Sequence, residues 1–159
     1  MSMMEMPKPQ TEHGFLERMV GNWRVTSTSM AHEEVWTETC RSLNGIWFVA
    51  EGNGDMPDGG GPATTVLTLG YDPAKGRYIG TWFGTMMHHL WVYDGEVSGD
   101  GNTLSLYTTG PDFAEPGKMG DYREQIIFTD NDHRTFTSSS KQPDGSWKQF
   151  MQADYERVG

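Results

Sequence analysis

The chain has 159 residues and a formal net charge of −10 at pH 7, and 12% of its residues are aromatic. This length predicts one domain, and the negative charge argues against nucleic acids and anionic membrane surfaces as partners because both would repel it. Six tryptophans and eleven methionines predict a folded domain with an aromatic, methionine-rich core, because disordered chains contain few aromatic residues.

The single cysteine and the N-terminal sequence predict the compartment. Cys40 has no partner for an intramolecular disulfide, and the N-terminus lacks the basic and apolar segments of a signal peptide. No apolar run reaches the roughly 20 residues that a membrane-spanning helix needs. We therefore expect a cytoplasmic protein.

The first residues predict a tail and one short helix. Residues 1–10 contain four methionines and two prolines without periodicity, so a mobile tail is expected there, followed by one domain over 11–159. Thr11 can cap a helix that presents Phe15, Leu16 and Met19 on one face and ends at Gly21.

The rest of the sequence is typical of an all-β protein. Short segments rich in Val, Thr, Tyr and Trp alternate apolar and polar residues between turn signals such as Asn44-Gly45 and Asp72-Pro73. Hairpins in series predict a single up-and-down antiparallel β-barrel, closed to remove its edges, with the short N-terminal helix closing one end. About ten strands are expected, near 22–30, 34–43, 46–52, 64–71, 76–84, 87–98, 103–109, 121–129, 133–140 and 146–157.

Two segments, 53–63 and 110–120, are long, acidic and rich in glycine and proline. We do not expect a phosphate-binding loop in the first, because no helix follows it and its aspartates would repel phosphate. Both segments are expected to be flexible surface loops. In the functional alternative, they flank the mouth of the barrel and gate it.

Several motifs carry a family resemblance. Gly21-Asn22-Trp23 resembles the Gly-x-Trp signature of calycins, the lipocalin and fatty-acid-binding-like barrels. Over roughly residues 11–157 the chain resembles the bacterial family labelled domain of unknown function 1579, which implies a calycin-like barrel and no particular activity. Met86-Met87-His88-His89 departs from the family pattern. The other supporting motifs are Thr39-Cys40-Arg41, Leu43-Asn44-Gly45, Phe48 through Glu51, Gly70-Tyr71-Asp72, Tyr78, Trp82 and Tyr122-Arg123-Glu124.

The first hairpin predicts an arginine inside the barrel. A two-residue turn at Asn44-Gly45 pairs Arg41 with Phe48 on one face. The opposite face would place Glu38 across from Glu51, which is tolerable only in water, so the face with Arg41 is expected to point inward.

A buried guanidinium cannot lose its charge and needs a partner. For Arg41 this partner is an internal carboxylate such as Glu124, backbone carbonyls, or the carboxylate of an anionic ligand. Arg123 is a second candidate, although its strand does not show which face points inward.

The turn at 99–102 places His89, Trp91 and Tyr93 together on an inward face. We expect His89 to be a hydrogen-bonded core histidine, and ligation of haem iron is the alternative. His88 would point outward, so the two adjacent histidines cannot bind one metal ion together. No metal site is expected.

The outer face of the first hairpin predicts self-association. Trp36, Cys40, Trp47 and Val49 would form an exposed apolar patch, and a two-fold contact lets one patch serve both partners of a homodimer. No motif combines a nucleophile with a base, so catalysis is not expected.

Closure of the barrel predicts one further contact. With an even number of strands, the end of the last strand lies beside the start of the first, which places Arg157 over the Trp23 indole at the end closed by the helix. The resemblance to lipocalins, in which an arginine from a late strand packs on the tryptophan of the signature, implies the same contact. Its expected role is structural.

These features favour a non-catalytic protein whose barrel cavity holds a small hydrophobic or amphipathic molecule, with carboxylates among the candidates. No cofactor is expected. The alternatives are a haem-binding barrel that uses His89, and a barrel filled by its own side chains that acts as a structural or interaction protein. The expected ligand-binding residues are Arg41, Phe48, Trp82, His89, Trp91, Tyr93, Tyr107 and Arg123.

Overall fold

Segments of alternating apolar and polar residues, separated by turns, form the ten strands of this protein. The computed structural model describes residues 4–27 and 34–159, and these residues form an all-β closed barrel with a short N-terminal helix, as predicted. The elements are α1 (His13–Glu17), β1 (Gly21–Ser27), β2 (Glu34–Leu43), β3 (Trp47–Met56), β4 (Gly61–Asp72), β5 (Arg77–Gly84), β6 (Trp91–Val97), β7 (Thr103–Pro111), β8 (Met119–Asp130), β9 (His133–Lys141) and β10 (Trp147–Arg157), with a 3-10 turn at Pro57–Gly59.

The barrel has up-and-down topology. Each strand pairs antiparallel with its neighbours in the chain, and β1 also pairs with β10. Closure therefore satisfies the backbone groups that an edge strand would leave unpaired. The end of the barrel next to α1 is called the closed end, and its turns are 44–46, 73–76, 98–102 and 131–132. The opposite end is called the open end, and its described loops are 57–60, 85–90, 112–118 and 142–146.

Several strand boundaries differ from the predicted ones. Pairing continues into both predicted loops, up to Met56 with Gly61 and Pro111 with Met119, which shortens them to 57–60 and 112–118. The strand expected from residue 87 begins at Trp91.

Two predicted segments, the N-terminal tail and the first strand, are described only in part. Residues 4–10 are exposed and have no regular secondary structure, whereas residues 1–3 of the predicted tail and 28–30 of the predicted first strand lie outside the described residues. Among the described residues, no helix is both long enough and apolar enough to cross a membrane.

The β2–β3 hairpin has a different register from the predicted one. Leu43 pairs with Trp47, so the loop contains three residues, 44–46, instead of two. One extra loop residue moves every side chain of β2 to the opposite face. Glu38 therefore points inward and is buried, whereas Arg41 is exposed on the outside of the barrel. The prediction of an internal Arg41 is wrong.

The same shift removes the patch that was predicted to carry a homodimer. Cys40 is buried, with 3% of its surface exposed, and Trp36 pairs with the buried Val25 on the inward face. Trp47 remains exposed, and Val49 is half-buried on the outer face of β3. The four residues do not share a surface, so the predicted composition of the dimer interface is wrong.

Helix α1 seals the closed end with apolar side chains. Leu16 and Met19 are fully buried, and the Trp23 indole nitrogen donates a hydrogen bond of 2.8 Å to the Met19 carbonyl. The N-cap is Glu12 without a side-chain hydrogen bond, and not Thr11 as predicted. Burial of its apolar face therefore stabilises this short helix, since so few residues form no stable helix alone.

Two arginines lie against Trp23 beneath α1. The Arg157 guanidinium carbon is 4.3 Å from the centre of the indole ring, and Arg157 pairs with Trp23 across the closing strands; both confirm the predicted contact. Arg134 lies 4.7 Å from the same ring and 3.8 Å from the ring of Tyr155. Arg134 also forms a buried ion pair with Glu38.

Replacing Arg157 with alanine is expected to lower the melting temperature by about 5 °C. Arg157 contacts the Trp23 ring and donates hydrogen bonds of 2.6 and 2.7 Å to the carbonyls of Val20 and Arg18, so the change removes both a cation–π contact and the cap of α1. Thermal unfolding followed by circular dichroism measures the effect. Arg24→Ala, at an exposed site of β1, is the matched control, and equal melting temperatures for the two variants would contradict this role.

Candidate functional site

The interior of the barrel is filled at the closed end and partly open beyond its middle. Near α1, the inward-facing Trp23, Phe48 and Leu104 are at most 1% exposed. Toward the open end, the inward-facing Trp82 and Glu124 are only half-buried. Side chains inside a closed barrel that still contact water border internal space, and a barrel of this size can hold one small ligand.

Aromatic side chains form one wall of this open half. Trp91 and Tyr93 of β6 face inward with 6% and 4% of their surface exposed, and Trp82 of β5 pairs with Trp91. The Trp91 ring meets Tyr122 edge-on at 5.4 Å, while its nitrogen donates to the Met87 sulfur at 3.2 Å. These contacts hold the rings in place, and such a wall suits an apolar or aromatic molecule.

Glu124 places a carboxyl group in the middle of this lumen. It lies on β8 between Leu106 of β7 and Ser138 of β9, and the Ser138 hydroxyl donates a hydrogen bond to Oε2. Burial raises the pKa of Glu124 from 4.5 to about 7, although the Ser138 hydrogen bond opposes the shift. Burial and the charge of Glu124 raise the pKa of Tyr93 as well. The carboxyl group therefore titrates near neutral pH.

Two further polar atoms in the open half lack hydrogen bonds. Thr108 Oγ1 and His89 Nε2 are buried and have no partner among the described residues. The His89 ring stands perpendicular to Trp91 at 4.6 Å. Unsatisfied buried polar atoms are uncommon in folded proteins, so both atoms are available to a bound molecule or to water.

Two exposed phenylalanines lie at the mouth. Phe113 and Phe150 are 63% and 50% exposed, and each ring centre lies 6.1 Å from that of Tyr122. Phe113 belongs to the loop 112–118, part of the segment 110–120 that the functional alternative placed at the mouth. These rings extend the aromatic wall to the outside of the barrel.

The predicted ligand-binding residues divide into three groups. Trp82, Trp91 and Tyr93 face the open half of the lumen, and His89 lies in the loop beside it instead of on a strand. Phe48 faces inward but belongs to the filled core at the closed end. The remaining three, Arg41, Tyr107 and Arg123, lie on the outside of the barrel.

Tyr107 and Arg123 belong to an aromatic cluster on the outer face. The Arg123 guanidinium carbon lies 5.1 Å from the centre of the Trp147 ring, and Tyr107 lies 6.1 Å from that ring. Trp147 points outward because a bulge between Gln149 and Met151 shifts the register of β10. Tyr107 and Trp147 border an open groove of about 860 Å³, and its lining also includes Tyr93, Thr108 and Tyr122.

Two of the most informative inward residues carried no clear sequence signal. Arg134 stands in β9 among threonines and serines, and no pattern there indicates that it is buried. Glu38 was assigned to the outer face by the two-residue turn. A two-residue turn would place Glu38 opposite Glu51 on the outer face. This pairing of like charges was a sequence signal in favour of the three-residue loop.

The protein is thus a closed ten-stranded antiparallel barrel with aromatic side chains and one carboxyl group facing the open half of its interior. The chain belongs to the family described as Protein of unknown function (DUF1579), whose model matches residues 8–157. No curated protein matches the sequence.

Solved structures with the same fold include the following two. Rv2717c from M. tuberculosis superposes with a TM-score of 0.62 at 12% identity, over 96% of this chain and 100% of that chain. The S-type phycobiliprotein lyase CPES from Guillardia theta gives a TM-score of 0.55 at 20% identity, over 95% and 99% of the two chains. At these identities the similarity establishes the fold.

Proposed function

We propose that this protein binds a small, largely aromatic or apolar molecule in the open half of its barrel. The observation that carries the proposal is that Trp82 and Glu124 face the inside of a closed barrel and still retain accessible surface. An aromatic wall with a few polar groups is the usual composition of a small-molecule site.

The charges of the lumen disfavour a fatty-acid carboxylate as the occupant. Arg41, the predicted anchor for a carboxylate, lies outside the barrel. Arg134 does face inward, but its charge is paired with Glu38 at the closed end. Glu124 faces the open half and would repel a carboxylate when it is ionised.

The proposal is tested by two truncations on one strand. Trp82 faces the lumen, whereas its neighbour Phe83 is 44% exposed on the outside. Trp82→Ala is expected to weaken binding of the neutral fluorescent probe N-phenyl-1-naphthylamine about tenfold, because it removes part of the apolar wall. Phe83→Ala is expected to leave the affinity unchanged. Equal effects of the two variants, or no saturable binding to the unmodified protein, would overturn the proposal.

A haem-binding barrel is the second candidate function. The buried His89 Nε2 without a hydrogen-bond partner favours it, since a neutral imidazole nitrogen is the usual protein ligand of haem iron. Titration with haemin separates the two candidates, because this function requires a Soret band that shifts on binding and is lost in His89→Ala.

A further inference from the structure

Only one oxygen of the Glu124 carboxyl group accepts a hydrogen bond from the described residues. Ser138 donates to Oε2, and Oε1 accepts no hydrogen bond from the described residues. An ionised carboxylate can accept about four hydrogen bonds, so most of its capacity is unused. Because the side chain is half-buried and lies on the inward face of β8, this unused capacity is available to a ligand bound there.

No cation among the described residues acts on Glu124; Lys148, on the inward face of β10, is exposed at the mouth. The titratable groups that interact with it are Tyr93 and Tyr122, whose pKa values are both raised, so both phenols stay neutral near pH 7. Arg134 on the adjacent strand is engaged with Glu38 at the closed end. His89 lies at the mouth, beside Trp91. Because no cation of the described residues pairs with Glu124, a ligand can supply one.

The surroundings of Glu124 suit a cation in other respects. Trp82 and Trp91 present aromatic surfaces to the same half of the lumen, and ring faces attract ammonium groups. Thr108, on the lumen face one inward position closer to the mouth, has an Oγ1 without a partner and can accept a second ammonium hydrogen. The net charge of −10 also raises the local concentration of cations.

We propose that the lumen site selects a protonated amine carried on a small aromatic or apolar body, with the ammonium group on Glu124 and the body against Trp82 and Trp91. This inference rests on the proposed function, that the lumen holds a small molecule. Ser138 orients the carboxylate, and Thr108 provides a further acceptor. The selected class is thus opposite in charge to the carboxylates that the sequence suggested.

Three ligands of one shape test the selection by charge. Phenethylamine, ethylbenzene and 3-phenylpropionate are compared at pH 8 by displacement of N-phenyl-1-naphthylamine. Phenethylamine is expected to bind about 10- to 100-fold more tightly than ethylbenzene, since a hydrogen-bonded charge pair is formed, and 3-phenylpropionate more weakly than both. Glu124→Gln is expected to remove the advantage of the amine and leave ethylbenzene unchanged. Glu51→Gln, an exposed carboxyl on the outer face, is the control for net charge.

The pH dependence identifies the group responsible. Affinity for phenethylamine should rise from pH 6 to pH 8 as Glu124 ionises, and Glu124→Gln should abolish this rise; a rise that persists in this variant would contradict the proposal. Equal displacement by phenethylamine and ethylbenzene in the unmodified protein overturns the inference and leaves the proposed function standing. If the probe itself does not bind, the proposed function fails and the inference fails with it.

Discussion

Replacing Glu38 with leucine is expected to destabilise the protein by about 3–5 kcal/mol, because it leaves the buried charge of Arg134 without a partner. The side chains of Arg134 and Glu38 are 1% and 8% exposed, so water cannot replace the lost carboxylate. The guanidinium would keep its contacts with the rings of Trp23 and Tyr155, but these compensate only in part for a lost ion pair.

The reciprocal change completes a double-mutant cycle. Arg134→Met should cost a similar amount, since it leaves Glu38 buried and unpaired, whereas the double variant Glu38→Leu/Arg134→Met should be more stable than either single variant. Urea unfolding of the four proteins measures the coupling. Each charge needs its partner because both side chains are buried at the closed end of the barrel, where α1 and Trp23 exclude water.

An exposed ion pair provides the matched control for this cycle. Arg77 and Glu96 are 3.1 Å apart, with side chains 31% and 59% exposed, and Glu96→Leu is expected to cost less than about 1 kcal/mol. If Glu38→Leu cost no more than Glu96→Leu, the buried pair would not have the stabilising role assigned to it.

Stability is expected to fall as the pH rises from 4 to 8, and Glu124→Gln should remove about 3 kcal/mol of that fall. Burial raises the pKa of Glu124 from 4.5 to about 7, so between these values the folded state holds a proton that the unfolded state has released. The stabilisation is complete below the unfolded pKa and is lost as the pH rises through the folded pKa. Urea unfolding at a series of pH values measures it.

Comparing Glu124→Gln with the unmodified protein separates the contribution of the Glu124 carboxyl to the pH dependence of stability from the contributions of other titratable groups. The hydrogen bond that His133 donates to Asp130 raises the pKa of His133, so its contribution is also lost as the pH rises, but this occurs equally in both proteins. Glutamine keeps the size of the side chain and an acceptor for Ser138. Parallel pH profiles for the two proteins would show that the Glu124 carboxyl is not shielded from water in the folded state.

The barrel itself was predictable because its signals are local. Alternation of side chains defines each strand, turn residues separate the strands, and short connections force antiparallel neighbours. The Arg157–Trp23 contact was predicted from the even number of strands. With an even number, the last strand runs antiparallel to the first, so the end of β10 lies beside the start of β1. The inward positions of Trp82, Trp91 and Tyr93 are also consistent with simple alternation.

The electrostatics of the interior depended on features that only the tertiary structure decided. Asn44-Gly45 fits a loop of two residues or of three, and that single residue determines whether Arg41 or Glu38 lies inside. A bulge in β10, equally invisible in the sequence, directs Trp147 outward.

The amino-acid sequence by itself determined the all-β barrel, its closing helix and the closing contact of Trp23, because each arises from local patterns and strand order. The tertiary structure decided which charges the interior contains: Arg134 is paired with Glu38, and Glu124 faces the open half. The physical reason is that side chains alternate with a period of two along a strand, so a shift of one residue in register reverses the face, and with it the charge, that a strand presents to the interior.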